Sequence, residues 1–84
     1  MNHALILSAQ LALNGARRQT QLGPSYFRPV TDKAGKLWLE ESYRIYNRAL
    51  EKEDINEFLG PFTQEEYATL DFTKAIAAGT FRQE

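Results

Sequence analysis

The segment AGKLWLEESYRIYNRAL, residues 34–50, is the longest stretch of the chain in which apolar side chains recur at steps of three and four residues. On a helix these side chains form one stripe, and the charged side chains fill the opposite side. Glu40 and Arg44 stand at i and i+4 with the acid nearer the N-terminus, which is the stabilising order for such a pair. We therefore predict a helix over residues 34–53. The stripe consists of Ala34, Leu37, Trp38, Ser42, Ile45, Tyr46, Ala49 and Leu50.

The same region allows a second interpretation, a β-hairpin. Its arms would be residues 26–31 and 36–40, joined by a turn at residues 32–35, and a helix would then begin near Glu41. Pro29 lies inside the first arm and has no backbone N–H to donate, which would confine that arm to a sheet edge. We prefer the long helix for this reason, and the hairpin stays open as the alternative.

Length and composition indicate one folded domain. The chain has 84 residues, too few for two cores, and 43% of them are hydrophobic. Five Phe, four Tyr and one Trp supply bulky side chains for that core, so disorder is not expected. Cysteine is absent, which excludes a disulfide framework, a thiolate zinc site and a thiol nucleophile.

The first predicted helix, residues 3–16, is apolar on almost every side. A helix of that kind is either enclosed by its own domain or partly covered by another chain. A domain of 84 residues can hardly enclose a helix on all sides. The pattern therefore predicts a homodimer or a partner protein.

The same N-terminal segment is not expected to be a signal peptide or a membrane span. No basic residue precedes its apolar run, and Ser8 and Gln10 interrupt that run. The run is also shorter than the ~20 residues needed to cross a bilayer. We therefore predict a cytoplasmic protein without membrane contact.

Two helix starts are visible in the C-terminal half. Asp54 has the position of an N-cap for a short helix over residues 54–59. Thr63 has the same position for a longer helix over residues 63–78, with Glu66 three residues later to complete a capping box.

These patterns together predict an all-α fold, a small single-domain bundle of three principal helices plus one short helix. A long loop containing aromatic residues, over residues 20–33, joins the first two helices. The predicted helices cover residues 3–16, 34–53, 54–59 and 63–78.

The segment FLGPFTQEEYATLDFTKAIAAGTFR, residues 58–82, resembles the part of Trp-repressor-like proteins that leads into their helix-turn-helix. We transfer no DNA contact from this resemblance. The residues that carry it are Phe58-Leu59, Thr63-x-Glu65-Glu66, Leu70, Ile76-Ala77 and Gly79-Thr80-Phe81-Arg82.

Residues suited to catalysis or to metal or cofactor binding are few. His3 is the single histidine, and a position so near a terminus rarely holds a fixed geometry. The pairs Glu40-Glu41 and Glu65-Glu66 would point about 100° apart on a helix and could not share one ion. The sequence has no glycine-rich phosphate loop and no calcium-loop spacing. We therefore predict no enzyme activity and no catalytic, metal or cofactor site.

Residues of the predicted loop are the first candidates for binding another protein. Tyr26, Phe27 and Arg28 are of the types that dominate interface hot spots, and the binding hypothesis predicts that all three are exposed. The alternative is that Tyr26 and Phe27 fold back as a lid on the core. The charged face of the central helix is the second candidate, and it consists of Glu40, Glu41, Arg44 and Arg48.

Nucleic-acid binding is the alternative function. Residues 1–36 contain five basic residues and one acid, whereas residues 37–84 contain five basic residues and ten acids. A basic segment with interleaved aromatic residues is typical of proteins that bind nucleic acids. The candidate contacts are Arg17, Arg18, Arg28, Lys33 and Lys36.

The sequence thus predicts a small non-catalytic protein-interaction module, either an adaptor or an inhibitor or regulator of another macromolecule. Its small size and its few reactive groups are typical of such proteins encoded by phages and other mobile elements. The identity of the partner is beyond what the sequence indicates.

Overall fold

The structure is a computed structural model that describes residues 3–20, 23–46 and 52–83. Within these residues the fold is α/β, with a four-stranded antiparallel sheet and three short helices, so the predicted all-α helical bundle is wrong. The strand order in the sheet is β1-β2-β3-β4, the same as in the chain. The elements are α1 (His3–Leu13), β1 (Arg17–Thr20), β2 (Gly23–Thr31), β3 (Leu37–Tyr46), β4 (Lys52–Phe62), α2 (Gln64–Ala68) and α3 (Phe72–Ala78).

The hairpin between β2 and β3 is the centre of the sheet. Its pairing runs from Thr31 opposite Leu37 to Tyr26 opposite Ser42, so residues 23–31 of the predicted loop and residues 37–46 of the predicted helix are strands. The turn is stabilised by Asp32, whose Oδ1 accepts hydrogen bonds at 2.9 Å from the backbone N–H groups of residues 34 and 36. A side chain of this type in a turn replaces hydrogen bonds that the backbone would otherwise lose. The hairpin interpretation of the sequence is therefore correct for its two arms and its turn, but the helix that it placed near Glu41 is wrong, because β3 continues to Tyr46.

Pro29 is compatible with this hairpin because of the side on which its nitrogen lies. The backbone N–H of Asp32 donates to the carbonyl of Lys36, directly before β3, so alternation along β2 directs the nitrogen of Pro29 away from β3. That direction is towards β1, which pairs with β2 only as far as Tyr26. The missing N–H therefore costs no hydrogen bond of the sheet.

The predicted helices 34–53 and 54–59 fall mainly on β3 and β4. Leu37 and Leu39 point to one side of the sheet and Trp38 to the other, since successive residues of a strand alternate. Because both sides of β3 carry apolar residues, apolar residues follow one another directly in the sequence. Some of them then stand three or four residues apart, which is also the spacing of an apolar stripe on a helix. Residues 47–51 of the predicted helix lie outside the described residues.

The C-terminal helices show correct capping but a wrong length. Thr63 and Glu66 form the predicted capping box, in which Thr63 Oγ1 accepts from the N–H of Glu66 at 3.1 Å. The helix that they start, α2, ends at Ala68, and Asp71 caps a separate helix, α3. The predicted single helix over residues 63–78 is therefore two helices. The first helix, α1, lies inside the predicted range 3–16.

The resemblance to Trp-repressor-like proteins does not extend to the structure. Phe58 and Leu59 lie in β4 rather than at the end of a helix. Arg82 pairs with Phe58 as an isolated antiparallel bridge at the edge of the sheet, with hydrogen bonds of 2.8 and 2.9 Å in both directions. The residues after α3 therefore extend the sheet instead of opening another helix.

The sheet has two faces with different surroundings. All described helices pack on one face, which we call the covered face, and the core lies between them and the strands. The opposite face, which we call the open face, carries no helix of the described residues. The buried apolar residues of the core are Ala9, Leu13, Phe27, Leu37, Leu39, Tyr67 and Phe81. The open face contains Arg17, Tyr26, Arg28, Val30, Trp38, Glu40 and Phe58.

Candidate interaction surface

The open face carries a basic and aromatic contact at the β1 end. Tyr26 is 50% exposed, and the guanidinium of Arg17 lies over its ring at 5.3 Å from the ring centroid. The two residues are cross-strand partners, so their contact follows from the register of β1 and β2. An exposed aromatic ring held by a cation on a rigid strand offers contact area at little cost in conformational entropy.

An ion pair occupies the middle of this face. Arg28 Nε donates to Glu40 Oε1 at 2.5 Å, and this hydrogen bond and the charge of Glu40 raise the pKa of Arg28 above its ordinary value. The two side chains differ in exposure, since Arg28 remains 68% exposed and Glu40 only 7%. Arg28 can therefore reach a partner, while Glu40 serves mainly to hold it.

An aromatic pair lies on the other side of the ion pair. The rings of Trp38 and Phe58 are 6.5 Å apart at 79°, an edge-to-face arrangement. The indole Nε1 donates to Asp32 Oδ2 at 2.9 Å, and this bond is the main reason why the pKa of Asp32 is lowered. Gly60 has φ +146°, and a Cβ there would come within 3.0 Å of Trp38 Cε3. The indole is thus held by a carboxylate on one edge and by close backbone contact with β4.

A second ion pair, between Arg18 and Glu41, lies on the covered face, and its carboxylate is almost fully buried. Glu41 is 2% exposed, and its Oε2 accepts from Arg18 Nε at 3.0 Å and from Ser25 Oγ at 2.6 Å. Its Oε1 accepts from Arg18 Nη2. These hydrogen bonds satisfy a carboxylate that the fold has removed from water, which is the condition for tolerating a buried charge.

The Arg18 guanidinium also joins the sheet to the C-terminal segment. It lies 5.7 Å from the centroid of Phe27 and 5.5 Å from that of Phe81, and its Nη1 donates to the carbonyl of Ile76 at 2.8 Å. The two phenylalanine rings are themselves in contact, at 5.8 Å between centroids. Arg18 is therefore a structural residue that links β1, β2 and α3.

Two tyrosines have strongly raised pKa values. The hydroxyl of Tyr43 donates to Glu57 Oε1 at 2.6 Å, and this bond, together with burial and the charge of Glu57, raises the pKa of Tyr43 to about 12. Burial raises the pKa of Tyr67 to about 12, and its hydroxyl donates to the carbonyl of Trp38 at 2.9 Å. Both tyrosines are therefore neutral hydrogen-bond donors at physiological pH and not candidates for proton transfer.

On the side of the sheet that carries the helices, large apolar side chains are exposed on α1. Leu11 is 79% exposed and Leu7 48% exposed, and the two are one helical turn apart. Their stripe faces away from Ala9 and Leu13, which are buried against the sheet. The helix is thus partly buried by its own domain and partly uncovered.

The predicted partner-binding residues divide between the two faces. Tyr26 and Arg28 are exposed on the open face, whereas Phe27 is 7% exposed and belongs to the core. The exposure predicted for Phe27 by the binding hypothesis is therefore wrong, and the lid interpretation is correct for Phe27 but not for Tyr26. Glu40 and Glu41 are both buried in ion pairs and do not form the predicted charged surface. Of the other two residues predicted for this set, the backbone of Arg44 lies in β3 opposite Asp54, and Arg48 lies outside the described residues.

The residues predicted for nucleic-acid binding are not brought together as one patch. Arg17 and Arg28 share the open face, but Arg18 points to the covered face and is bound to Glu41. Lys33 and Lys36 are exposed in the turn between β2 and β3, at the far end of the hairpin from Arg17. Two of the five candidates therefore share a surface with Tyr26.

Sequence reasoning missed two residues of the open face, Trp38 and Phe58. Each was interpreted as part of the apolar side of a helix. No local pattern marks the pair, because the two rings meet through the register of β3 and β4.

The few groups considered for catalysis are far from forming a site. His3 is exposed at the start of α1, and the hydroxyl of Ser25 is engaged by Glu41 and by the carbonyl of Arg18. Among the residues that the structure describes, no group of three or more histidine, aspartate or glutamate side chains is arranged to hold a metal ion. Within the same residues, no helix is long and apolar enough to cross a membrane.

Comparison with known proteins adds no relative to this description. The chain has no significant match among protein-family models, curated proteins or solved structures. The features that indicate a function are therefore the surfaces of the molecule itself.

Proposed function

We propose that this chain is a small non-catalytic module that binds another protein through the open face of its sheet. The observation that carries the proposal is the half-exposed ring of Tyr26, which shares an uncovered sheet face with the Trp38–Phe58 pair. Such a module would act as an adaptor or as an inhibitor or regulator of the protein that it binds. The lack of cysteine is compatible with action in the cytoplasm.

The composition and rigidity of the open face support this proposal. Tyr, Trp and Arg are the residues most enriched in binding hot spots, and this face presents Tyr26, Trp38, Arg17 and Arg28. The side chains project from paired strands and make contacts with one another, so little conformational freedom remains to be lost when a partner binds. Preorganised aromatic anchors are what a small binding surface needs to reach useful affinity.

We expect a photo-reactive phenylalanine analogue at Tyr26 to capture a partner protein in cells. The ring at this position is exposed at the β1 end of the open face, whereas Thr73 is exposed on α3, on the covered side. The same analogue at Thr73 is the matched control. Cross-linked products are resolved by electrophoresis and identified by mass spectrometry. One discrete protein product at position 26 and none at position 73 is the expected result, and equal labelling at both positions contradicts the proposal.

Nucleic-acid binding is the second candidate, and one contact favours it. The stack of Arg17 on Tyr26 places a cation beside an exposed ring, the combination that binds bases and phosphates of single strands. The cross-linking experiment separates the two candidates, because a product at Tyr26 that disappears after nuclease treatment indicates nucleic acid. A product that resists nuclease and contains peptides of a second protein in mass spectrometry indicates a protein partner.

Self-association through α1 is a separate part of the proposal. The helix contains no acidic or basic residue apart from His3, so two copies can meet through the Leu7–Leu11 stripe without opposing like charges. We expect Leu11→Lys to shift the protein towards monomer in light scattering over a dilution series, since it introduces a charge at the 79% exposed position. Ala78→Lys, which adds the same charge at an exposed position of α3, is the control. An unchanged mass distribution in Leu11→Lys would show that α1 does not form the contact.

A further inference from the structure

A groove lies beside Trp38 on the open face, near the turn between β2 and β3. Its volume is about 310 Å³. The rings of Trp38 and Phe58 meet at 79° and form two of its walls, so a group placed there can contact both rings. The groove is lined by Val30, Thr31, Asp32, Trp38, Glu40 and Phe58.

The two ionisable residues that line this groove are both acids. The Oδ1 atom of Asp32 is used by the backbone of the turn, and its Oδ2 atom accepts one hydrogen bond, from Trp38. A carboxylate oxygen can accept two hydrogen bonds, so Oδ2 can take one more donor. Glu40 adds less negative charge, because Arg28 already neutralises it from a position that does not line the groove. Asp32 is therefore the carboxylate that a ligand would meet.

We propose that this groove binds an arginine side chain of the partner protein. The guanidinium would lie against the rings of Trp38 and Phe58 and donate a hydrogen bond to Asp32 Oδ2. That the arginine belongs to a protein rests on the proposed function. The preference of the groove for a cation can be tested with small molecules alone.

The chemistry of the walls favours this occupant over others. A cation is attracted to the face of an indole ring, more strongly than to other aromatic rings, and arginine makes such contacts more often than lysine. The planar guanidinium can stack on a ring and still direct an N–H in its plane to a carboxylate, which an ammonium group on a flexible stem does less well. A phosphate would meet the charge of Asp32 at the same place, so a nucleic-acid strand is disfavoured in this groove.

Trp38 makes the groove directly observable, because it is the single tryptophan of the chain. The experiment titrates the full-length protein with N-acetyl-arginine amide and follows the tryptophan fluorescence at constant ionic strength. N-acetyl-citrulline amide has nearly the same shape without the charge and is the matched control. We expect a saturable change with the arginine compound at millimolar concentration, a weaker one with N-acetyl-lysine amide, and none with the citrulline compound.

Variants locate the binding within the groove. Asp32→Asn is expected to weaken the arginine titration about fivefold, because it removes the exposed charge that the guanidinium would meet. Phe58→Leu removes one aromatic wall and is expected to weaken it by a similar factor. Glu65→Gln, which removes an exposed acid from α2, is the control and should bind like the unmodified protein. Circular dichroism verifies that each variant keeps the fold.

Three results overturn the inference. One is an equal response to the arginine and citrulline compounds, which shows that charge does not matter. Another is unchanged arginine binding in both Asp32→Asn and Phe58→Leu when both are folded. The third is stronger quenching by a short single-stranded oligonucleotide than by the arginine compound, which indicates an anionic ligand. None of these results decides whether a protein is captured at Tyr26, so failure here is distinguishable from failure of the proposed function.

Discussion

Phe27→Ala is expected to lower the free energy of unfolding by about 3–5 kcal/mol, as removal of a buried aromatic ring does. Phe27 is 7% exposed and packs on Phe81 and on the Arg18 guanidinium. Truncation would therefore leave a cavity at the junction of β2 with the C-terminal segment and would also uncover one side of a buried ion pair. Urea unfolding followed by Trp38 fluorescence measures the change.

The neighbouring substitution Tyr26→Ala is the matched control for this prediction. Tyr26 is an aromatic residue of similar size on the same strand, but it points to the open face and is 50% exposed. Its loss is expected to cost less than about 1 kcal/mol, most of it from the contact with Arg17. A similar loss of stability in both variants would mean that the two faces of β2 are not distinguished as buried and exposed.

Glu41→Ala is expected to have an effect of similar size, a destabilisation of about 3–5 kcal/mol, because it leaves a partly buried charge without its partner. The side chain of Arg18 is 35% exposed, and its remaining acceptor would be the carbonyl of Ile76. Ser25 would also lose its 2.6 Å hydrogen bond to the carboxylate. The measurement is again urea unfolding, with Glu65→Ala on the exposed side of α2 as the control for loss of an acid.

A double substitution distinguishes the ion pair from simple packing. If the cost of Glu41→Ala comes from the uncompensated arginine, then Arg18→Met combined with Glu41→Leu should be more stable than Glu41→Ala alone. Apolar pairs of similar volume often replace buried ion pairs at little cost. Ser25 would keep its 3.1 Å hydrogen bond to the carbonyl of residue 18 in this variant. A double variant less stable than Glu41→Ala would contradict the explanation.

The adjacent acids Glu40 and Glu41 show why the charged face was predicted wrongly. On a helix both would be solvated, but on β3 they point to opposite faces of the sheet. Each then meets an arginine from a neighbouring strand, Arg28 on the open face and Arg18 on the covered face. The neutralising partners are 12 and 23 residues away in the sequence, so the spacing within β3 contains no sign of them.

The open face could be predicted only in part for the same reason. The exposure of Tyr26 and Arg28 agrees with the sequence prediction, because their residue types alone suggested a binding role. Trp38 and Phe58 come from two strands and meet because Phe58 pairs with Glu40, which lies two residues along β3 from Trp38 on the same face. A groove formed by such a pairing exists only when the register is known.

The sequence by itself determined the features that depend on a few neighbouring residues. These are the N-terminal helix, the capping box at Thr63 and Glu66, and the possibility of a turn at residues 32–35. Local hydrogen bonds and local apolar spacing are sufficient for each of them. Only the tertiary structure decided that residues 37–46 form a strand, because strand pairing depends on partners far along the chain that local propensity cannot register. Because of that pairing, Phe27 lies in the core. Tyr26, Arg28 and Trp38 lie together on the open face, which is the surface that the proposed function uses.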